Sequence, residues 1–308
     1  MKRLLILAAL LWASACQKDS LFRQVEIRWD TGILATRSAS PDEERISDLN
    51  LFVFRSDGEL EAQVWLDERA FARQGGRCSL PLVRGLPVSL YACANFGYRV
   101  NNVNCLDDLL EKRFYLTYPD EYSHGIPMSG IAELDGEGLT VTIPLERMMA
   151  KISLRIDRRA LRKDVRFQVR SVTLGDSPRS ACPFAPSRTL GNLDVFSRGF
   201  ERAGSQADGL NRDATAGLSQ EVSVYMLENL QGDEPLLPSY LELTVDYQSD
   251  TQTTRPGAWL IYRFRLGDGQ GNCDVQRNFH YHYTVRPEGD GLLTEDSWKL
   301  DRTALTEK

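Results

Sequence analysis

Short runs in which every second residue is apolar recur along this chain, and nothing constrains its fold more. Leu49, Leu51 and Val53 alternate with Asn50, Phe52 and Phe54, and Leu139, Val141, Ile143 and Leu145 alternate with Thr140, Thr142 and Pro144. Ile152, Leu154 and Ile156 alternate with Lys151, Ser153, Arg155 and Asp157; Leu241, Leu243, Val245 and Tyr247 alternate with Glu242, Thr244 and Asp246. A period of two is the pleat of a strand with one buried face. Further strands are expected at 24–29, 60–66, 87–94, 165–174, 221–227, 258–266 and 278–286. A single stretch has helical spacing: Leu106, Leu109, Leu110 and Phe114, with Asn104 as its cap. Many short strands between turn signals predict an all-β chain, one β-sandwich or a pair of them. At 308 residues it is long enough for two cores. We place the boundary near residue 147, which divides the chain into 16–147 and 148–308. Residues 175–220, rich in Gly, Ser, Ala, Asp and Arg, are expected to form a long irregular insertion in the second unit.

The chain opens MKRLLILAALLWASAC. Basic Lys2 and Arg3, the unbroken apolar run Leu4 to Trp12, and small Ala13, Ser14 and Ala15 make residues 1–15 an export signal. Two processing routes fit. Ala13-Ser14-Ala15 suits ordinary signal cleavage, whereas the same segment resembles a lipobox in which Cys16 is acylated and becomes the first residue. The short signal, and a cysteine with no folded-domain reason to stand there, favour lipidation of Cys16. The tract Gln17-Lys18-Asp19-Ser20 resembles the surface-export tags of Bacteroidetes lipoproteins. Two or three acyl chains hold a protein at a membrane that one chain grips only marginally. After residue 15 no apolar run reaches the roughly 18 residues a spanning helix needs.

Catalytic signals are missing. There is no phosphate-binding Gly-rich loop, no G-x-S-x-G elbow and no H-E-x-x-H. With 37 basic against 43 acidic side chains the body is acidic, which argues against nucleic acid as a partner. Only three histidines occur. His280 and His282, two apart on a strand, point the same way and could grip one metal ion. Phe279, Tyr281, Tyr283 and Val285 make the better core face, so we expect both histidines on the solvated or sheet-lining face, with Thr284 and Arg286 and without a metal role. His124 reads as a loop residue. The acidic runs Asp42-Glu43-Glu44 and Asp107-Asp108 read as solvated faces or caps. Cys78, Cys93, Cys105, Cys182 and Cys273 form no C-x-x-C pair. Export permits disulfides, and Cys78 with Cys93 flank a hairpin, so one bridge and buried free thiols both remain open. We expect no enzyme and no cofactor.

An ordered set of phrases then resembles one family. It runs from the exported Cys16 through Ala35-Thr36-Arg37-Ser38 to Glu44-Arg45-Ile46-Ser47-Asp48-Leu49 with Leu51-Phe52-Val53-Phe54 and Asp57-Gly58-Glu59-Leu60. Tyr91-Ala92-Cys93-Ala94-Asn95, Ile126-Pro127-Met128-Ser129-Gly130 and Leu145-Glu146-Arg147-Met148-Met149-Ala150-Lys151-Ile152 follow. Val224-Tyr225-Met226-Leu227-Glu228-Asn229 comes next, then Leu266-Gly267, then Val275-Gln276-Arg277-Asn278-Phe279-His280-Tyr281, and finally Ser297-Trp298-Lys299-Leu300-Asp301. Spanning roughly residues 16–301, the set resembles the fimbrillins, the FimA/Mfa-like lipoprotein subunits of Bacteroidales fimbriae.

The resemblance implies two transthyretin-like β-sandwich domains in tandem, with a short helix in the first, on the cell surface and outer membrane. It implies a structural pilus subunit (stalk, tip or anchor) supporting adhesion. Its partners would be other fimbrial subunits through strand donation, the outer membrane through the lipid, and host or bacterial surface receptors. In such pilins an arginine-specific protease removes the first strand and opens a groove for a neighbour's strand. Here that strand is expected at about 21–34, and the candidate cleavage residues are Arg37 and Arg45. The C-terminal stretch supplies only Trp298 and Leu300 as alternating anchors, a poorer donor than acceptor. The alternative is a surface lipoprotein that binds glycan or host protein without polymerising.

Overall fold

The computed structural model describes residues 21–31, 43, 45–119, 121, 124–197, 200–201, 205–250, 258–268 and 271–305. Among the described residues nine strands precede residue 148: β1 Phe22–Asp30, β2 Leu49–Arg55, β3 Leu60–Leu66, β4 Arg77–Val83, β5 Val88–Ala94, β6 Phe114–Tyr115, β7 Met128–Leu134, β8 Thr140–Pro144 and β9 Glu146–Arg147. Eight of them form a three-stranded sheet ordered β4-β1-β8 facing a five-stranded sheet ordered β3-β2-β5-β7-β9, while β6 pairs outside both. Val25, Ile27, Leu51, Val53, Leu90 and Ile143 lie in the core between them.

The main strands after Met148 are β10 Met149–Ile156, β11 Val165–Gly175, β12 Val222–Leu227, β13 Tyr240–Ser249, β14 Ala258–Arg265, β15 Phe279–Val285 and β16 Trp298–Ala304. One sheet is ordered β12-β10-β15-β16; in the other β11, β13 and β14 are consecutive, with the two-residue strand Phe200–Glu201 on the outer edge of β11. Ile152, Leu154, Val245, Tyr281 and Tyr283 fill the second core. The chain leaves the first five-stranded sheet at Arg147 and enters its next sheet at Met149. The all-β architecture expected from the alternation is present.

The halves share one wiring. In each, the first strand lies between an antiparallel and a parallel neighbour: β1 between β4 and β8, and β10 between β12 and β15. Parallel neighbours need a long crossover, which periodicity cannot reveal.

Three features depart from the alternation. β2 is buried on both faces, not one: Leu49, Leu51 and Val53 enter the first core, while Phe52 and Phe54 enter a third cluster with Tyr91, Leu109, Met148, Met149 and Leu227. That cluster packs the outer face of the five-stranded sheet against the second half. Three helices rather than one stand among the described residues: α1 Glu68–Gln74, α2 Leu106–Leu110 and α3 Ser205–Asn211. Asp67 caps α1, accepting the Ala70 N–H at 2.8 Å, and Gly75 closes it at φ +63°. Two turns that set only Ala70 and Phe71 against the core are too short for a periodic signal. Finally, the stretch 175–220 is not irregular throughout. It carries α3 and several two- or three-residue strands, of which Ser180–Ala181 pairs with β6 of the first half.

Candidate functional site

β1 alternates Arg23, Val25, Ile27 and Trp29 inward with Gln24, Glu26 and Arg28 outward. Val25 and Ile27 are wholly buried, and Trp29 stacks on Phe71 of α1 with ring centroids 5.1 Å apart. The buried Arg23 locks the start of the strand, donating to the carbonyls of Gly138 at 2.8 Å and Leu86 at 3.2 Å. Both edges are paired, from Phe22↔Val83 to Arg28↔Arg77 on β4 and from Glu26↔Thr140 to Asp30↔Pro144 on β8. Without β1, two rows of backbone groups and an apolar floor would face solvent. Two strand spacings, about 9.5 Å, would separate β4 from β8, which is room for one strand. Pro81 shows why β4 has no clean sequence signature: a proline inside the run disfavours a strand, yet β4 is an edge, where proline is tolerated.

The segment that re-enters the body after β1 is fastened at Asn95, in the left-handed region at φ +61°. Its side-chain oxygen accepts the Ser47 N–H at 2.8 Å, and its amide donates to the carbonyls of Arg45 and Ile126, each at 2.8 Å. Asp48 accepts the N–H groups of Phe96 at 3.1 Å and Gly97 at 3.0 Å, and burial pushes its carboxyl above the usual range despite those bonds. Upstream, Glu43 makes a buried ion pair with Lys151 of β10 at 2.8 Å, and its carbonyl lies 3.4 Å from Arg147. The residues after β1 therefore reach the second half of the molecule.

Of the residues singled out by sequence, Cys16 and Arg37 lie outside the described residues. Arg45 is exposed and pairs with Glu68 of α1 at 2.7 Å. His124 is an exposed turn residue whose carbonyl accepts the Ser47 hydroxyl. All five described cysteines are free thiols, so the Cys78–Cys93 bridge does not form. Cys78 faces the first core and Cys93 the third cluster, on opposite sides of the five-stranded sheet. Burial raises both thiols above their ordinary range. Tyr281, Tyr283 and Val285 claim the core side of β15 as expected, whereas Phe279 is only partly buried. His280 is not solvated but buried, with a ring nitrogen 2.6 Å from the Ser153 hydroxyl. Burial first, then His282 and Lys151, push its pKa down to about 4, so the ring is neutral near pH 7.

No protein-family profile matches the sequence, and no curated protein does. Solved structures do. A protein solved as a candidate cell adhesion protein from Bacteroides eggerthii is 18% identical, with a TM-score of 0.65 over 92% of this chain and 96% of its own. The fimbrilin FimA from Porphyromonas gingivalis is 14% identical, with a TM-score of 0.61 over 93% of this chain and 99% of its own. The chain has a fimbrilin fold. The tip fimbrial protein Mfa3 from Porphyromonas gingivalis shares that fold at 14% identity and a TM-score of 0.57, again over 93% and 99%. These neighbours are fimbrial and adhesion proteins, not enzymes. A fimbrilin fold at such identity rests on strand order and burial pattern, which many sequences satisfy.

Proposed function

We propose that this chain is a surface fimbrial subunit that receives a strand from a neighbouring subunit in the place of its own β1. The observation that carries the reading is the position of β1: a central strand whose inward face buries Arg23, Val25 and Ile27, joined to the body through residues that contain Arg37 and Arg45. Removing it exposes apolar surface and unpaired edges together, and an incoming strand satisfies both. The fimbrial and adhesion proteins that share the fold favour a place outside the cell. Cys16 would anchor the newly exported chain to the outer membrane until the cut separates lipid and β1 from the body.

The surroundings of the two arginines favour Arg37 as the cut. Cleavage there leaves Glu43 on the body, with its buried pair to Lys151. Cleavage after Arg45 would carry Glu43 away and leave Lys151 buried without that partner, a change that typically costs about 3–5 kcal/mol. Arg45 is also engaged through Glu68 and through its carbonyl to Asn95. At the other end, β16 is paired along its length with β15, and Trp298 stacks on Phe264 with centroids 3.9 Å apart. A strand committed to its own sheet is not on offer to a neighbour. The subunit is thus an acceptor first, which suits an end of a filament.

N-terminal sequencing of the assembled form tests the proposal. Assembled protein should begin at Ser38, Arg37→Ala should leave full-length lipoprotein without filaments, and Arg45→Ala should still assemble. Filaments built from Arg37→Ala subunits that retain β1 would overturn it.

A further inference from the structure

The β12-β10-β15-β16 sheet carries a polar constellation on the face turned away from its core. In register across three strands, Ser153 of β10 lies opposite Ser223 of β12 on one side and His282 of β15 on the other, and Lys151 lies opposite His280. Glu221 stands one residue before β12, its carboxylate 3.4 Å from Nδ1 of His282. The two imidazole rings are 3.5 Å apart between centroids. One ligand atom from each of Glu221, His280 and His282 lies within 4.8 Å of the others.

We propose that Glu221, His280 and His282 form a binding site for a divalent transition-metal ion, Zn²⁺ in the first instance. Two imidazoles with one carboxylate are a donor set that suits zinc and leaves one place of a tetrahedral ion for water or another ligand. Zinc–ligand bonds of about 2.0–2.1 Å at tetrahedral angles put neighbouring ligand atoms about 3.3–3.4 Å apart. The His282–Glu221 contact already has that spacing, so a modest closing of His280 would complete the set.

The surroundings are built to hold the ligands in place. The Ser153 hydroxyl lies 2.6 Å from His280 and 2.7 Å from the Ser223 hydroxyl, a supporting contact of the kind that orients a metal-binding imidazole. Two cations face the cluster. Lys151 is offset by Glu43 at 2.8 Å, and Arg155 pairs with Glu221 at 2.7 Å. A carboxylate has about four acceptor positions, enough for Arg155 and a metal together. The site ties strands distant in sequence to one another, so metal binding would add to the stability of the second sandwich.

Titration of the EDTA-treated, dialysed full-length chain with Zn²⁺, followed by calorimetry and by thermal melting, tests the assignment. We expect wild type to bind Zn²⁺ and to melt at a higher temperature with it. His282→Gln and Glu221→Gln, both at partly accessible side chains, should each weaken binding by about tenfold or more and abolish the rise in melting temperature. Circular dichroism of the two metal-free variants keeps loss of fold separate from loss of binding. No Zn²⁺ binding by wild type, or binding undiminished in either folded variant, as the free cysteines would produce, overturns the site.

Discussion

Replacing Ile27 by Ala measures how firmly β1 belongs to the first sandwich. Ile27 has no exposed surface and pairs with Cys78 on β4 and Val141 on β8, so its side chain fills space that neither neighbour can collapse into freely. Three buried carbons at about 0.8 kcal/mol each set a floor of about 2.5 kcal/mol. The cavity they leave raises the expected loss to about 3–5 kcal/mol. Urea denaturation of the full-length chain, followed by tryptophan fluorescence, should report that loss as a lower midpoint at unchanged slope. Gln24→Ala, on the outward face of the same strand, should stay within about 0.5 kcal/mol. After cleavage at Arg37 the Ile27→Ala and wild-type bodies are chemically identical and should melt together. A full-length Ile27→Ala chain within about 1 kcal/mol of wild type would refute the claim that β1 is an integral strand whose removal opens an apolar groove.

Asn95→Ala removes the acceptor of the Ser47 N–H and the donors to the carbonyls of Arg45 and Ile126, and should destabilise by about 2–5 kcal/mol in the same urea assay. Glu43→Ala should cost about 3–5 kcal/mol by thermal melting, because it removes one side of a buried ion pair. Asp157 is held well below the usual carboxylate range, chiefly by hydrogen bonds from Arg159 and also by the charge of Arg286. A depressed folded-state pKa stabilises the fold above the unfolded value near 4 and is lost as pH falls below it. Stability should therefore decline from about pH 5 downward, and Asp157→Asn should flatten that decline while lowering stability at pH 7. Cys16→Ala should release the protein from the membrane fraction; persistence there through a carbonate wash would remove the lipid anchor from the account.

The residues whose burial depends on local alternation were legible. Val25 and Ile27 on β1, Ile152 and Leu154 on β10, and Tyr281 and Tyr283 on β15 all face cores as their spacing predicts. Residues whose surroundings come from distant chain were not. Phe52 and Phe54 read as the second face of a half-buried strand, and only the packing of the two halves shows why that face is apolar too. Glu221 lies about sixty residues from His280 and His282, and no local spacing joins them. Antiparallel pairing of β10 with β12 and parallel pairing with β15 brings the three together.

The same division separates the two arginines. Residue order alone marks a short basic-then-apolar opening segment, the run of amphipathic strands after it, and a polar arginine-bearing segment behind the first of them. These are local properties, set by side-chain period and by residue chemistry along a few adjacent positions. That Glu43 reaches Lys151, that the Arg45 carbonyl is held by Asn95, and that Cys78 and Cys93 face opposite sides of one sheet is visible in the folded chain alone. Those relations depend on which strands pair and which faces pack, and they join residues between about fifteen and more than a hundred positions apart. A period of two says which side of a strand is apolar; the partner waiting on that side is chosen by the fold.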